Sequence, residues 1–293
     1  MDKILITGAQ GFIGRNILEQ IGGKYHFLSP SREELDLLDF ESVQRYLKKE
    51  KPNILVHLAN VGGNRKEIEM PDITYINLKM FFNLIQCKEN FQRLIMIGSG
   101  AEYDKSHPIV NITEQEFGRN IPADQYGFYK YVCSKYAQEV DYITHLRIFG
   151  IYGKYEDYTT RFISNAICRA LCGLDIEFNQ NVFFDYLYVN DFVKILELII
   201  QQKPCNKFLN IGSGIRISLL DIARVIKEEA GGKAGIVIRK EGLNNEYTCD
   251  ITSLKHEFSG INFTPLRVAV REMVDYYRKE IVKINKEDLL FDK

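Results

Sequence analysis

The chain lacks charge of one sign. Its 293 residues carry a formal net charge of −1, so no field draws it to nucleic acid or to an anionic membrane surface. It also lacks a long apolar run, and none approaches the roughly 18 residues that a membrane span needs. Its six cysteines, at 87, 133, 168, 172, 205 and 249, are scattered. Cys168 and Cys172 stand four apart on an expected helix with no second ligand pair near them, so they read as core residues and no metal is expected. That usage suits a reducing compartment. The first strand begins at once, with no signal peptide ahead of it, and a cytoplasmic protein is expected. Repeats and low-complexity tracts are missing too.

What is present is a chain that is 45% hydrophobic, enough for a full core. Its length suits one large α/β unit, or a nucleotide domain with a smaller lobe. The ordering stretch lies at the start. Residues 4–6 form an apolar run suited to a strand buried on both faces. Thr7-Gly8-Ala9-Gln10-Gly11-Phe12-Ile13-Gly14 follows, and residues 15–21 read as a helix. In such a strand-turn-helix Gly8 permits the sharp turn. Gly11 lets a pyrophosphate approach the backbone, and Gly14 lets the helix pack close to the strand. The helix N-terminus offers N–H groups and a positive dipole end to the phosphates.

Residues 25–28 read as the second strand. It runs into Ser29-Pro30-Ser31-Arg32, with no carboxylate until Glu33. An acidic residue there would bind a free ribose 2′-OH, whereas an arginine accommodates a 2′-phosphate. NADP is therefore expected over the alternative, NAD. A polar helix is expected over 41–51 and a buried strand over 54–59, with His57 as a packed core residue. The loop 60–64 should lie at the carboxyl end of the sheet. An amphipathic helix over 71–88 and a strand over 94–98 follow, the strand ending in Ser99-Gly100-Ala101-Glu102-Tyr103. Tyr126 and Lys130, at i and i+4, share a helix face. The lysine ammonium can stabilise a phenolate and make the tyrosine a general acid or base, and Ser99 can complete a proton relay.

Thr7-Gly8-x-x-Gly11-x-x-Gly14, His57-Leu58-Ala59, Ser99, Tyr126-x-x-x-Lys130 and Tyr188-Val189-Asn190-Asp191 together resemble the extended short-chain dehydrogenase/reductase family. Its members are NAD(P)-dependent epimerases, dehydratases and reductases of nucleotide sugars. The likeness spans nearly the whole chain, and residues 31–39 with 60–63 look most like its GDP-fucose synthase branch. The resemblance implies an α/β fold, a Rossmann-type doubly wound parallel sheet with a smaller C-terminal α/β substrate lobe. Residues 1–150 with about 182–203 would form the dinucleotide domain, and about 151–181 with 204–293 the lobe. Ser99, Tyr126 and Lys130 would be catalytic. The cofactor would meet Gly8, Gln10, Gly11, Phe12, Ile13 and Gly14 in the first turn, and Ser31, Arg32, Asp36 and Leu37 at the adenosine. Leu58, Ala59, Asn60, Tyr126, Lys130 and Phe149 would line its inner half. Gly100, Ala101, Arg161, Arg239 and Lys240 would face the nucleotide-sugar substrate. The family also implies a homodimer built on the helices over 71–88 and after Tyr126, through Phe81, Phe82, Leu84, Val132 and Tyr136.

Departures from the family narrow the chemistry. The dehydratase branch carries adjacent acidic residues where this chain has Gly100 and Ala101. The cysteine and histidine of the epimerising branch fall at Ala101 and Arg161. Gly150, Lys154 and Phe184 replace residues that commonly face the nucleotide diphosphate. The expectation is hydride transfer to C4 of a nucleotide-linked 4-keto-6-deoxysugar. The alternatives are a C4 epimerase with tightly held NAD and, in another class, a non-catalytic dinucleotide sensor or scaffold. A glycine turn at 212–214 is read as structural. Ser218 is expected to cap a helix over 219–230, and the last helix is expected over 266–283.

Overall fold

A computed structural model describes residues 2–63 and 70–290. Asn64, the end of the loop expected at 60–64, lies outside the described residues. The chain runs through β1 (Lys3–Thr7), α1 (Phe12–Ile21), β2 (His26–Leu28), α2 (Phe40–Glu50), β3 (Ile54–His57), α3 (Ile73–Ile85) and β4 (Arg93–Ser99). It continues with β5 (Ile109–Ile112), α4 (Gln125–Gln138), β6 (Ile143–Ile148), β7 (Gly150–Tyr152), α5 (Phe162–Leu171), β8 (Ile176–Asn181), β9 (Phe183–Tyr188) and α6 (Val189–Gln201). It ends with β10 (Phe208–Ile211), β11 (Arg216–Ser218), α7 (Leu219–Glu229), β12 (Ile236–Leu243), β13 (Tyr247–Cys249), α8 (Thr252–Glu257) and α9 (Leu266–Glu280).

Six strands form one parallel sheet in the order β2-β1-β3-β4-β6-β10. Side chains alternate across a strand, and here both faces are apolar. Ile4, Ile6, Val56 and Ile95 pack with α1 and α6. Leu5, Leu55, Leu94 and Met96 pack on the opposite face with α2, α3 and α4. The chain leaves β1 to one side for β2 and returns on the other side for β3. This reversal opens a crevice beyond the carboxyl ends of β1 and β3, where such folds bind their ligands.

A second sheet joins β7, β9, β11, β13 and β5. β8 and β12 form a parallel ribbon beside it. α5, α7 and α9 enclose a separate core around Ile167, Ile222 and Met273. Ser218 caps α7 as expected, its Oγ accepting from the Asp221 N–H at 3.1 Å.

Two segments fall outside the expected division. Residues 208–211, grouped with the lobe, pair parallel with β6 and complete the first sheet. Leu209 and Ile211 on β10 are fully buried there. β9, grouped with the dinucleotide domain, pairs in the second sheet instead, while α6 packs on α1 and Leu187 of β9 joins the same core. The turn at 212–214 has a structural task. The Ser213 and Gly214 N–H groups donate to the buried Asp185 carboxylate at 2.7 and 2.8 Å, and Ser213 Oγ adds a third bond at 2.7 Å.

Candidate active site

The first turn is built for close backbone approach. Gly8 has φ of +72°, and a Cβ there would stand 2.7 Å from the Ala59 nitrogen, so β1 and the segment after β3 meet more closely than a side chain allows. A Cβ on Gly14 would stand 2.6 Å from the Gly8 carbonyl oxygen. Gly11 donates its N–H to that same carbonyl at 3.0 Å and becomes the N-cap of α1. Among the described residues no side chain caps it, and no acidic residue lies in the first turn. The N–H groups around Phe12 and Ile13 are therefore left for an anion, which fits the pyrophosphate of a dinucleotide. Gln10 is exposed at the rim. Thr7 Oγ1 bonds His57 Nδ1 at 2.8 Å and accepts the Ala59 N–H at 3.3 Å, fixing the start of Leu58-Ala59-Asn60. Burial, helped by the Lys130 charge, pushes His57 down to about 3, so its ring is a neutral structural link.

At the adenosine end Ser31 closes a turn with Glu34, its N–H donating to Glu34 Oε2 at 2.8 Å. The Arg32 side chain is 80% exposed and lies 4.0 Å from Asp36, free to swing onto a phosphate. The Leu37 side chain is buried in the core, and its carbonyl accepts from Asn83 at 2.8 Å, so its backbone N–H is the group left to meet an adenine.

Ser99 ends β4, and α4 brings Tyr126 and Lys130 alongside. Asp124 caps α4 by accepting the Gly127 N–H at 2.9 Å. Lys130 is buried, and its ammonium donates to the Ile97 carbonyl at 2.5 Å, 5.8 Å from the Tyr126 ring centre. Among the described residues no carboxylate pairs with Lys130, so its charge is kept for the site. The half-buried Tyr126 ring faces Gly63, where a Cβ would sit 2.9 Å from Tyr126 Cε2. Arg161, the N-cap of α5, donates from Nη2 to the Gly63 carbonyl at 2.7 Å, so it stands on the Tyr126 side.

Beneath Ser99 lies a buried polar network. Glu102 accepts the Ser99 N–H at 2.9 Å, His145 Nε2–H at 2.8 Å and Arg147 Nε–H at 2.8 Å. Arg147 also donates to Ser134 Oγ at 2.7 Å, and its guanidinium lies 4.2 Å from the centre of the Phe117 ring. Burial alone would raise the Glu102 carboxyl, but the donors around it hold it down to about 2. Burial pushes His145 down, so it stays neutral. Among the described residues its Nδ1 has no partner, and an unprotonated nitrogen is the cheaper group to leave so.

The expected substrate-side residues are spread more widely. Gly100 and Ala101 follow Ser99 directly and are buried. Phe149 is also buried, its ring 4.8 Å from Tyr247 and 6.3 Å from Tyr103, and its Cζ lies 2.7 Å from where a Cβ on Gly100 would stand, so it reaches the turn after Ser99. Arg239 and Lys240 stand on β12, in the ribbon with β8, where Arg239 pairs with Glu177 at 2.6 Å.

The NAD dependent epimerase/dehydratase family matches residues 4–212. The chain belongs to this family. It is an NAD(P)-dependent enzyme of the extended short-chain dehydrogenase/reductase type. It is 25% identical to the GDP-L-colitose synthase of Yersinia pseudotuberculosis over 307 residues, covering 95% of this chain and 98% of that one. Among solved structures it superposes on the UDP-glucose 4-epimerase of Thermotoga maritima, solved with UDP-glucose, with a TM-score of 0.83 at 22% identity, covering 95% and 99% of the two chains. A GDP-mannoheptose C4 reductase from Campylobacter jejuni, solved with NADP bound, gives 0.82 at 17% identity, covering 94% and 98%.

In this member of the epimerase/dehydratase family, sequence reasoning missed the Glu102 network and Tyr247. The first had a signal: Ser99-x-x-Glu102 is a capping-box spacing, and both of its bonds form here. His145 and Arg147 are two apart on β6 and so share a face. Tyr247 had no local signal, because it reaches the site only through the pairing of β13.

Proposed function

We propose that the protein is an NADP-preferring reductase of a nucleotide-linked 4-keto-6-deoxysugar. The observation that carries this reading is the surroundings of Ser99. The Ser99 hydroxyl, the Tyr126 phenol and the Lys130 ammonium, which has no carboxylate partner among the described residues, are read as one group there, while the next two positions, Gly100 and Ala101, are buried and hold no titratable group. Eliminating water or inverting a carbon beside a ketone needs a further acid/base pair. Hydride transfer does not. NADPH, when bound, supplies the hydride that C4 receives. Ser99 holds the carbonyl oxygen, and the Tyr126 hydroxyl protonates the forming alkoxide. Lys130, held by the Ile97 carbonyl, stabilises the resulting phenolate and binds the nicotinamide ribose. The likeness to a GDP-L-colitose synthase and to a GDP-sugar C4 reductase fold supports a nucleotide sugar as substrate. The protein works in the cytoplasm as a homodimer.

The test is a panel of GDP-, UDP- and dTDP-linked 4-keto-6-deoxyhexoses with NADPH or NADH. Expected is protein that purifies largely free of cofactor and oxidises NADPH stoichiometrically with the sugar reduced. Interconversion of two 4-hydroxy sugars with no added cofactor would replace the reductase with an epimerase. Cofactor choice is tested separately. The exposed Arg32 side chain is the first cation after β2 in sequence. Arg32→Ala should weaken NADPH far more than NADH in a fluorescence titration, and equal weakening of both would refute the preference.

A further inference from the structure

We infer that Lys105 is a positioning residue for Tyr126, a second ammonium held beside the phenol, with Asp124 setting how much of its charge the ring feels. The inference rests on Tyr126 acting as proton donor in the reductase proposed above. The fold brings the three groups together from two segments. A short turn follows Ser99 and ends at Asp104, a buried residue held at φ of +71°, a conformation uncommon outside glycine. Asp104 fixes the chain beyond it by accepting the Ser106 N–H at 3.1 Å and the Ser106 hydroxyl at 2.7 Å. The start of α4 packs on the same turn, and a Cβ on Gly127 would stand 2.8 Å from the Ala101 carbonyl oxygen. Lys105 is thereby set against the first turn of α4. Its ammonium lies 3.7 Å from Asp124 Oδ2 and 5.9 Å from the centre of the Tyr126 ring. The Lys130 ammonium stands at almost the same distance, 5.8 Å.

A tyrosine that gives up its proton becomes an anion, and a nearby cation favours that state over the neutral phenol. The attraction depends on distance and on the medium between the charges. The two ammonium groups are matched in distance and differ in medium. Lys130 is buried, whereas the Lys105 side chain is 45% exposed, so water and salt screen it and its share is the smaller. Asp124 opposes it. That carboxylate caps α4 with its other oxygen, accepting the Gly127 N–H at 2.9 Å, so the helix start holds it in place beside Lys105. Three further groups stand around the ring. Tyr129 of α4 lies 5.5 Å away between ring centres, and Tyr247 of β13 is close enough to act electrostatically. Arg161 of α5 has its guanidinium on the Gly63 carbonyl. Lys105 and Asp124 carry opposite charges and both reach solvent, so either can be changed without disturbing the core. The pair gives Tyr126 an electrostatic setting that can be moved in either direction.

Lys105→Met keeps most of the stem and removes the charge. With a GDP-linked 4-keto-6-deoxyhexose and NADPH, kcat should fall about three- to tenfold, the effect of one partly screened charge at this distance. Lys105→Arg should recover most of that loss. Reduction needs the phenol in its protonated form, so activity falls as pH rises through its ionisation. That alkaline limb should move to higher pH in Lys105→Met. It should move to lower pH in Asp124→Asn, whose side chain still caps the helix. Combining the two changes should bring it back toward its starting position. A limb that stays put in Lys105→Met, or that moves the same way in both single variants, would overturn the inference. A second readout needs no substrate. With isotope-labelled tyrosine rings, the Tyr126 NMR signal is the one missing from Tyr126→Phe. Its titration should move up in Lys105→Met and down in Asp124→Asn, and an unmoved titration would also overturn the role. If the wild type reduces no ketosugar, the reductase reading fails, and the NMR titration still decides this one.

Discussion

In the proposed reductase Tyr126 supplies a proton and holds little of the fold, because its ring is half-buried and faces the Gly63 loop. Tyr126→Phe should leave NADPH binding intact and lower turnover about 10²–10⁴-fold, the usual cost of a positioned acid. Near-normal turnover in a steady-state assay would remove the phenol from the mechanism. Glu156 is the opposite case, a carboxyl that weakens the fold. It is buried, and Ser164 Oγ donates to its Oε2 at 2.5 Å. Burial raises it from 4.5 to about 7, against the pull of Arg161. Below 4.5 the folded and unfolded states are both protonated. As pH rises the unfolded carboxyl ionises first, so stability falls between 4.5 and 7 and the full penalty applies above that. A shift of this size corresponds to about 3 kcal/mol. Glu156→Gln should therefore raise the urea midpoint clearly at pH 8 and hardly at pH 5. The same gain at both would show that the carboxyl is not the cause.

Among the elements, the turn at the end of β4 joins fold to chemistry. Ser99 faces the site while its N–H is tied to Glu102, and Glu102 is tied to β6 through His145 and Arg147. Glu102→Gln would leave the Arg147 guanidinium, 1% exposed, without its counter-charge. Breaking a buried pair in this way costs about 3–5 kcal/mol, to be read from chemical denaturation. A loss under about 1 kcal/mol would mean that neutral hydrogen bonds suffice there. Because Glu102 is held down to about 2, its contribution is complete above the unfolded value of 4.5 and fades as pH falls below it. What the sequence made legible follows the same division. The glycine turn, the apolar runs of β1, β3 and β4, and the Tyr126–Lys130 pair are local patterns of period, spacing and backbone need, and each could be read. The seat of β10 beside β6, and the arrival of Tyr247 beside Gly100, depend on pairings between distant segments. No property of residues 208–211 or 247 taken alone encodes those pairings. The burial of Phe149 belongs with these, since it depends on the Tyr103 and Tyr247 rings that distant segments bring against it.

At the scale of the whole molecule the open question is what covers α3 and α4. The two helices pack side by side, and Thr74 Oγ1 donates to the Gln125 carbonyl at 3.1 Å where they begin. Of the residues expected to form a dimer face, Phe81 and Leu84 are fully buried in the protein's own core and are not available. Phe82, Val132 and Tyr136 are only half-buried. Near the starts of the same helices Tyr75 is 63% and Phe128 38% exposed. Residues 75 and 82 are seven apart on α3, and 128, 132 and 136 are spaced by four on α4, so each set shares a helix face. Two such pairs packed together would make a four-helix bundle, with each copy presenting the same patch about a twofold axis. Sedimentation at micromolar concentration should give a mass twice that of one chain. Tyr75→Glu with Phe128→Glu should give single chains, since two charges per copy would be buried without partners. These chains should still bind NADPH, because the patch lies on the outer helices and the glycine turn lies between β1 and α1. A wild-type mass of one chain would reject the dimer, and a charged variant that still pairs would move the interface to another face.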